Sequence, residues 1–352
     1  MDLFYCLLFR LNQEIRDRNL VTTKDRLLLA VSGGQDSIAL ILFFVALRKF
    51  WLWDLGCIYC DHGWRNDARE NGSHVQKIAE YYKLSYFQIL PSEKFVTEEK
   101  ARQWRYLQLI EIASDYNYHH VVTGHTATDR AETLLINLNR GSGCNGLHSL
   151  QWKRSSLHNQ KDIGIIRPLL SLQREELKIL VHQLHFPLWP DKTNEEMKRI
   201  RNKNRKQIFP FLRFLLNRNL DKSFAQFSEL SHTESILLDN LTAKVYETLT
   251  VDAFYLDLIK FQLIPIAVQR RVLRLFIQTK TKKLLPFEEI EKIRYLCLNP
   301  KKVKIISLKQ ALLFINAKKI FFLETVDKAK RKMGRPGFEP GTYRLKAEYS
   351  TD

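Results

Sequence analysis

Between Arg26 and about Asn139 the chain alternates short, β-rich apolar runs with longer segments of helical periodicity. The apolar runs are Leu27–Val31, Leu55–Cys60, Leu84–Leu90 and His120–Thr123. This alternation is typical of repeated βα units around a parallel sheet, and the uninterrupted apolar runs suit strands that helices cover on both faces. We therefore predict an α/β fold with a parallel, doubly wound sheet. Ligands of such folds bind just after the carboxyl ends of the strands.

The rest of the chain predicts further, smaller elements. The stretch Gln151–Gly164 is polar and predicts a mobile loop, and helical periodicity returns over Arg174–Leu184 and from about Ile200 to Glu247. The last β-rich runs are Val303–Leu308 and Ala311–Ile315. We predict a catalytic domain over residues 1–215, a smaller, mainly helical domain over 216–325 and a disordered tail over 326–352.

Composition limits the class of protein. The chain has 56 Lys and Arg against 38 Asp and Glu, a formal charge of +18, which favours an acidic partner such as nucleic acid. Its hydrophobic content of 45% indicates a folded protein rather than a basic disordered tail. The longest apolar run, Ile38–Leu47, is roughly half of what a membrane-spanning helix needs, so we expect no membrane partner.

The five cysteines are few and irregularly spaced, which argues against a disulfide framework and for a reducing compartment. Cys57 and Cys60 form a CxxC pair inside a predicted strand, where residues three apart face opposite sides. We interpret them as small buried hydrophobic residues rather than as a metal or redox pair.

The loop after the first predicted strand has the chemistry of a phosphate site. It consists of Ser32, Gly33, Gly34, Gln35, Asp36 and Ser37. Adjacent glycines allow a tight turn, the hydroxyls donate hydrogen bonds, and the following helix adds positive charge at its amino end. The loop lacks the lysine of the GxxxxGK[ST] motif, so γ-phosphate transfer is disfavoured. Asp36 beside phosphates suggests an intervening Mg²⁺. The alternative is an ordinary Gly-Gly turn that caps a helix.

Polar residues also follow the second and fourth predicted strands. Asp61, His62 and Gly63 supply polar groups and a flexible turn after the second, although a plain turn is the alternative. After the fourth, Asp129 and Glu132 fall on one face of a predicted helix and suit an ammonium group.

Arginines and lysines form two candidate anion sites. Arg102 and Arg105 are spaced to share a helix face, where both guanidinium groups can converge on one anion. A second cluster, suited to a phosphate backbone, consists of Lys198, Arg199, Arg201, Lys203, Arg205 and Lys206. A solvated helix face is the alternative for each group.

Taken in order, seven segments between residues 32 and 210 resemble the motifs of the tRNA(Ile)-lysidine synthases, a family of the PP-loop ATP pyrophosphatase superfamily. The segments are SGGQDS at 32–37, DHGWR at 61–65, ARQWRY at 101–106, GHTATDRAET at 124–133, RGSGCNGL at 140–147, RPLL at 167–170, and DKTN with RNKNR at 191–205. The fourth segment departs from the family pattern GHHxDDQxET at Thr126, Thr128 and Arg130.

The resemblance implies an ATP-dependent ligase. It would join free L-lysine to C2 of the first anticodon cytidine of a CAU-anticodon tRNA(Ile), through an adenylated tRNA, and would thereby change methionine specificity to isoleucine. It implies ATP at Ser32–Ser37, Mg²⁺ at Asp36 and lysine at Asp129 and Glu132. The implied catalytic residues are Asp36, Asp61, His62, Arg102 and Arg105, and the implied tRNA contacts are Arg140 with the six cations of residues 198–206.

Two alternatives stay open at this point. One is a tRNA thiolase of the same superfamily, and the other is a noncatalytic RNA-binding protein with a decayed ATP loop. We expect no tightly bound cofactor beyond ATP and Mg²⁺. The A+T-rich coding bias of the composition favours a plastid stroma, with a bacterial cytoplasm as the alternative. The oligomeric state stays open, with a homodimer as one candidate.

Overall fold

The computed structural model describes residues 2–61, 67–91, 95–147, 150–189, 200–251, 255–282, 284–298, 303–308 and 311–324. The chain forms two compact units, Met1–Ser235 and Ile236–Asp352. The two units divide about 20 residues after the predicted boundary near residue 215. Ser228 and Glu229 still make hydrogen bonds within the first unit. The predicted tail over 326–352 lies outside the described residues.

The first unit is built on a mainly parallel sheet with the strand order β3-β2-β1-β4-β6-β5. Its strands are β1 (Arg26–Ala30), β2 (Asp54–Cys60), β3 (Ser85–Ile89), β4 (His120–Thr123), β5 (Lys153–His158) and β6 (Lys161–Ile166). Strand β1 pairs in parallel with β2 and β4, with Leu29 opposite Cys57 and Val122. The predicted α/β fold with a parallel sheet is confirmed.

Helices cover this sheet on both faces. The helices of this part of the chain are α1 (Leu3–Asp17), α2 (Gln35–Trp51), α3 (Ala68–Tyr81), α4 (Glu98–Asp115), α5 (Ala127–Asn139), α6 (Cys144–Leu147), α7 (Arg174–Gln183), α8 (Ile200–Lys203), α9 (Phe209–Leu215) and α10 (Leu220–Leu249), which continues past the end of the first unit. Leu27 and Leu29 of β1 point into the core cluster that includes α2, whereas Leu28 points into the cluster that includes α4. Burial on both faces explains why these strands are continuous apolar runs.

The predicted loop over Gln151–Gly164 is wrong, because β5 and β6 form an antiparallel hairpin there. Its turn residues Asn159 and Gln160 both have positive φ angles, of 46° and 64°. Such turns match the twist of paired strands. Strand β5 is polar because it lies at the edge of the sheet with most of its side chains exposed, so its composition resembles that of a loop.

The second unit combines helices with an antiparallel sheet in the order β7-β8-β11-β10-β9. Its elements are β7 (Thr250–Val251), β8 (Tyr255–Asp257), α11 (Leu258–Gln262), α12 (Ile266–Thr281), α13 (Phe287–Leu298), β9 (Lys304–Leu308), β10 (Ala311–Ile315) and β11 (Lys319–Glu324). The two strands predicted near the end of the chain are confirmed as β9 and β10. Phe261, Val272 and Phe276 lie in its apolar core.

Candidate active site

A cavity of about 230 Å³ opens at the carboxyl edge of the sheet, beside the ends of β1 and β4. Strands β2 and β3 lie on one side of this pair, and β6 and β5 lie on the other. The connections therefore leave β1 and β4 in opposite directions and open a crevice, which is where doubly wound folds bind ligands. The loops after β1 and β4 line the cavity, together with side chains from α4, α5 and α7.

The loop over residues 32–37 leaves β1 and enters α2 directly. Gly33 has a φ angle of 81°, a region that glycine adopts without steric cost. Asn71 on α3 donates from Nδ2 to the Ser32 carbonyl oxygen at 3.0 Å, and Ser37 Oγ donates to the Gly34 carbonyl oxygen at 2.8 Å. The first N–H groups of a helix lack intrahelical acceptors, so this turn can bind a phosphate.

Asp36, in the first turn of α2, is held by Arg174, the first residue of α7. Arg174 donates to Asp36 Oδ2 from Nε at 2.7 Å and also from Nη2. Burial raises the pKa of Asp36, and Arg174 opposes that rise. The pKa of Arg174 is itself raised, because Asp129 and Asp36 outweigh its burial. The motifs in the sequence do not predict this role of Arg174, although an arginine that opens the helix after the RPLL segment is a usable signal.

Asp129 and Glu132 lie on one face of α5, and both meet Arg205. The buried Glu132 accepts from Arg205 Nε at 2.7 Å and from Nη2 at 2.9 Å. Asp129 Oδ1 lies 3.5 Å from Arg205 Nη2 and 3.9 Å from Arg174 Nη2. Burial acts to raise the pKa of Asp129, but neighbouring charges led by Arg174 outweigh it and lower the pKa. Asp129 lines the cavity as an ionised carboxylate.

The basic cluster that we predicted as an RNA contact is divided in the structure. Arg205 binds the acids of α5, and Arg201 Nη2 donates to Thr133 Oγ1 at 3.0 Å on the same helix. The remaining cations are Lys203 and Lys206, which are exposed, and Lys198 and Arg199, which lie outside the described residues. Two of the six cations, Arg201 and Arg205, therefore bind side chains of α5.

Arg102 and Arg105 lie on α4, as predicted, but only Arg105 of the two lines the cavity. Arg102 is exposed. The guanidinium carbons of both residues lie near the ring of Tyr106, at 5.9 Å for Arg102 and 5.4 Å for Arg105. Burial acts to raise the pKa of Tyr106, but Arg167 and Arg105 outweigh it and lower the pKa. The pair thus flanks an aromatic ring, and Arg105 alone reaches the cavity.

The remaining predicted residues are Asp61, His62 and Arg140. Asp61 follows β2, where its backbone N–H donates to the Ile89 carbonyl oxygen at 3.0 Å. His62 lies outside the described residues, and Arg140 is exposed at the end of α5. His125, which we did not select, lines the cavity beside Thr123 Oγ1 at 2.9 Å, and burial lowers its pKa to about 3. His125 is therefore neutral near pH 7.

Arg130 does not pair with Asp129 or Glu132, so it does not compete with an ammonium ligand for these two acids. Its guanidinium group binds the Leu150 carbonyl oxygen and the Glu229 carboxylate instead. The departure from the family motif at this position therefore leaves Asp129 and Glu132 in place.

Comparison with known proteins assigns this arrangement to a family. Residues 8–212, more than half of the chain, match the model of the PP-loop domain. A tRNA(Ile)-lysidine synthase from Synechococcus sp. is 39% identical over 320 residues, which cover 90% of this chain and 96% of the relative. The chain belongs to the tRNA(Ile)-lysidine synthase family.

Other synthases of this family are similar over most of their length. One from Nostoc sp. is 36% identical over 305 residues, 82% of this chain and 88% of the relative. A chloroplastic tRNA(Ile)-lysidine synthase from Zygnema circumcarinatum is 33% identical over 334 residues, 83% of this chain and 80% of the relative. The relatives of this chain thus include both bacterial and chloroplastic synthases.

The fold of this synthase is similar to that of a solved structure, the U34-tRNA thiolase from Methanococcus maripaludis. The two chains align with a TM-score of 0.52 at 16% identity, over 64% of this chain and 80% of the thiolase. That likeness concerns the fold alone.

Cys60, which lines the cavity, and its buried neighbour Cys57 both have pKa values that burial raises to about 12. Both thiols are therefore protonated and poorly nucleophilic near pH 7.

The donors in the cavity fit a Mg²⁺ ion that arrives on ATP. Asp36 and Asp129 both line the cavity, and Mg²⁺ in nucleotide sites is bound by one or two carboxylates together with substrate phosphates. Among the described residues, no cluster of three or more His, Cys, Asp or Glu side chains could hold a metal ion.

No helix in the described part of the chain is long and apolar enough to span a membrane.

Proposed function

We propose that this chain is an ATP-dependent ligase that joins free L-lysine to C2 of the cytidine at the first anticodon position of a CAU-anticodon tRNA(Ile). The observation that carries the proposal is one cavity that combines a phosphate-binding loop with an ionised acid, Asp129, and two arginines, Arg105 and Arg174. Membership of the synthase family and the 39% identity to a named synthase support it.

Two chemical steps fit this arrangement. The C2 oxygen of cytosine attacks the α-phosphorus of ATP, and pyrophosphate leaves. The ε-amine of lysine then bonds to C2, the C2–O bond breaks, AMP leaves with that oxygen, and the amine nitrogen gives up a proton. Adenylation is needed because the C2 oxygen of cytosine is otherwise a poor leaving group.

For the first step, the backbone N–H groups of residues 32–37 bind the pyrophosphate portion of ATP. Arg174 and Arg105 stabilise the negative charge that develops on the phosphates, because donors held in place beforehand need no reorganisation. Arg174 Nη1 is buried with no partner among the described residues, so a phosphate oxygen would satisfy it. Asp36 is the carboxylate available to Mg²⁺, which would screen charge on the phosphates when it is bound with ATP.

For the second step, Asp129 and Glu132 have different roles. Glu132 is buried and occupied by both donors of Arg205, whereas Asp129 lines the cavity. Asp129 therefore receives the α-ammonium group of lysine, and Glu132 holds Arg205 in place. The ε-amine has to remain unprotonated, so it lies away from both acids.

The exposed cations Arg140, Lys203 and Lys206 are the described candidates for tRNA contacts. Lys198 and Arg199, which lie outside the described residues, are proposed as tRNA contacts from the sequence alone. A plastid stroma is the proposed compartment. The chloroplastic relatives support it, although the bacterial relative from Synechococcus sp. is more similar, at 39% identity against 33% for that from Zygnema circumcarinatum. We retain a homodimer as a candidate assembly.

Incorporation of labelled lysine into CAU-anticodon tRNA(Ile) tests the function. We expect lysine-dependent pyrophosphate release by the wild-type chain and its loss in Asp36→Ala and Glu132→Ala. Glu111→Ala, which removes an exposed acid of α4, serves as the control and should retain activity. Release that does not need lysine would favour a thiolase, and no release would favour a noncatalytic RNA-binding protein. Full activity in either acid variant would overturn its assigned role.

A further inference from the structure

Arg130 lies on α5 but does not line the cavity. It is 4% exposed. Its Nε and Nη2 donate to the Leu150 carbonyl oxygen at 3.1 and 2.8 Å, and its Nη1 donates to Glu229 Oε2 at 2.9 Å. A buried guanidinium group is tolerated only when its donors are satisfied, so this geometry has to be maintained.

Glu229, on α10, collects the other contacts of the group. Its Oε2 accepts from Trp152 Nε1 at 2.7 Å, and its Oε1 accepts from Arg18 Nη1 at 2.7 Å. The Arg18 guanidinium carbon lies 4.1 Å from the centre of the Trp152 ring. One carboxylate therefore joins α1, α5, α10 and the segment that leads into β5.

The same helix pair holds the glycine-rich segment over residues 140–147. Asn137 on α5 donates from Nδ2 to the Gly146 carbonyl oxygen at 2.5 Å. Ser228, the neighbour of Glu229, donates from Oγ to the Leu147 carbonyl oxygen at 3.2 Å. Arg130 and Glu229 thus link the two helices that hold this segment.

We propose that Arg130 and Glu229 form a positioning pair that fixes α5 relative to α10, the two helices that hold the glycine-rich segment 140–147, and so sets the affinity of the site for lysine. This inference rests on the proposed function of Asp129. Arg130 touches no substrate in this proposal; it acts through Asp129, which precedes it, and Glu132, which follows two residues later.

The effect should be selective. The phosphate loop is held by Asn71 and by its own hydroxyl bonds, which involve neither Arg130 nor Glu229. The acids of α5, in contrast, move with the helix that Arg130 anchors. A displacement of about 1 Å at a positioned group costs up to about 100-fold in rate, so a smaller shift still affects lysine measurably.

The test compares Arg130→Gln with wild type under separate titrations of lysine and ATP. We expect the KM for lysine to rise about tenfold and the KM for ATP to change less than about twofold. Arg130→Lys, which keeps the charge but loses the forked geometry, should recover part of the lysine affinity. Arg26→Gln removes an arginine that pairs with Asp54 at 2.8 Å at the amino end of β1; it serves as the control and should leave both KM values unchanged.

Glu229→Gln provides a second route if Arg130→Gln does not fold, and it should also raise the KM for lysine selectively. The double variant should be no worse than the more impaired single variant, because both changes remove the same contact. Unchanged lysine kinetics, or equal losses for lysine and ATP, would overturn the positioning role. A wild-type chain that incorporates no lysine would instead refute the proposed function.

Discussion

The two compact units differ most in what they bury. Among the described residues, the buried charged side chains all lie in the first unit; they are Asp25, Asp36, Asp129, Arg130, Glu132, Arg167 and Asp221. The buried polar side chains of the second unit are neutral; they are Thr242, Gln269 and Thr281. Burial of an ion is unfavourable unless it is paired, so the first unit gives up stability to hold charges in place.

The second unit carries its ion pairs nearer the surface, as between Arg270 and Glu291 at 2.7 Å. Its core consists mainly of aliphatic and aromatic side chains, with Phe276 fully buried. The difference separates a unit organised around a reactive centre from one organised around packing. Substitutions should therefore reduce activity in the first unit and stability in the second.

The largest expected effect is that of Arg174→Ala. Loss of this arginine leaves Asp36 buried without its strongest partner, and breaking such a buried pair costs about 3–5 kcal/mol of stability. It also removes a preorganised donor to the phosphates, which should lower the rate by roughly 100- to 1,000-fold. Single-turnover pyrophosphate release would measure the change. Lys178→Ala, which removes an exposed cation of the same helix, should remain active. A fully active Arg174→Ala enzyme would remove this residue from the mechanism.

In the second unit, Phe276→Ala should act on stability instead. Truncation of a buried phenylalanine destabilises a core by about 3–5 kcal/mol. Chemical denaturation should show this loss, while ATP binding by the first unit changes little. Loss of ATP affinity in the folded variant would contradict the proposed division between the units.

The phosphate loop offers a matched pair of glycines. A Cβ at Gly33 would collide with Asn71 Oδ1 and require a φ angle of 81°, whereas a Cβ at Gly34 would lie 3.6 Å from its nearest neighbour, Ser32 Oγ. Gly33→Ala should therefore weaken ATP binding by about 1–3 kcal/mol, and Gly34→Ala should weaken it less. Calorimetric titration with ATP would test the order, and equal affinities would count against the proposed strain.

The smallest expected effect is that of Glu291→Gln, which should change the free energy of unfolding by less than about 1 kcal/mol at pH 7. Arg270 and Arg294 lower the pKa of Glu291 from its ordinary value of 4.5 to about 2. Because the folded-state pKa is the lower one, this contribution is present above pH 4.5 and is lost as the pH falls through about 2. Urea denaturation of both proteins across this range should show their stabilities converging at acid pH.

The sequence predicted the local features of the molecule well. The strands of the parallel sheet, the helix after RPLL and the loop over residues 32–37 all follow from apolar periodicity and turn residues near one another in the chain. The hairpin of β5 and β6 was mistaken for a loop because an exposed edge strand has few apolar residues. Its turn at Asn159 and Gln160 was the available signal, but neither residue is specific to a turn with positive φ angles.

The sequence did not predict the contacts between segments that are distant along the chain. The run of cations predicts Arg205 as an RNA contact. In the structure it binds Glu132, which lies 73 positions earlier in the chain. Arg174 was overlooked, although it binds Asp36 across 138 positions. Charge in a sequence does not indicate which carboxylate an arginine will meet, because that depends on how the elements pack.

The sequence by itself determined the sheet, the phosphate loop at its edge and the family, because each depends on short motifs and on periodicity along the chain. Only the tertiary structure decided which charged side chains pair with each other and which of them line the cavity. It brought Asp129 to the cavity, assigned Glu132 to Arg205, and turned Arg130 towards Glu229. The physical reason is that a buried charge must find a partner, and folding determines which partners lie within reach.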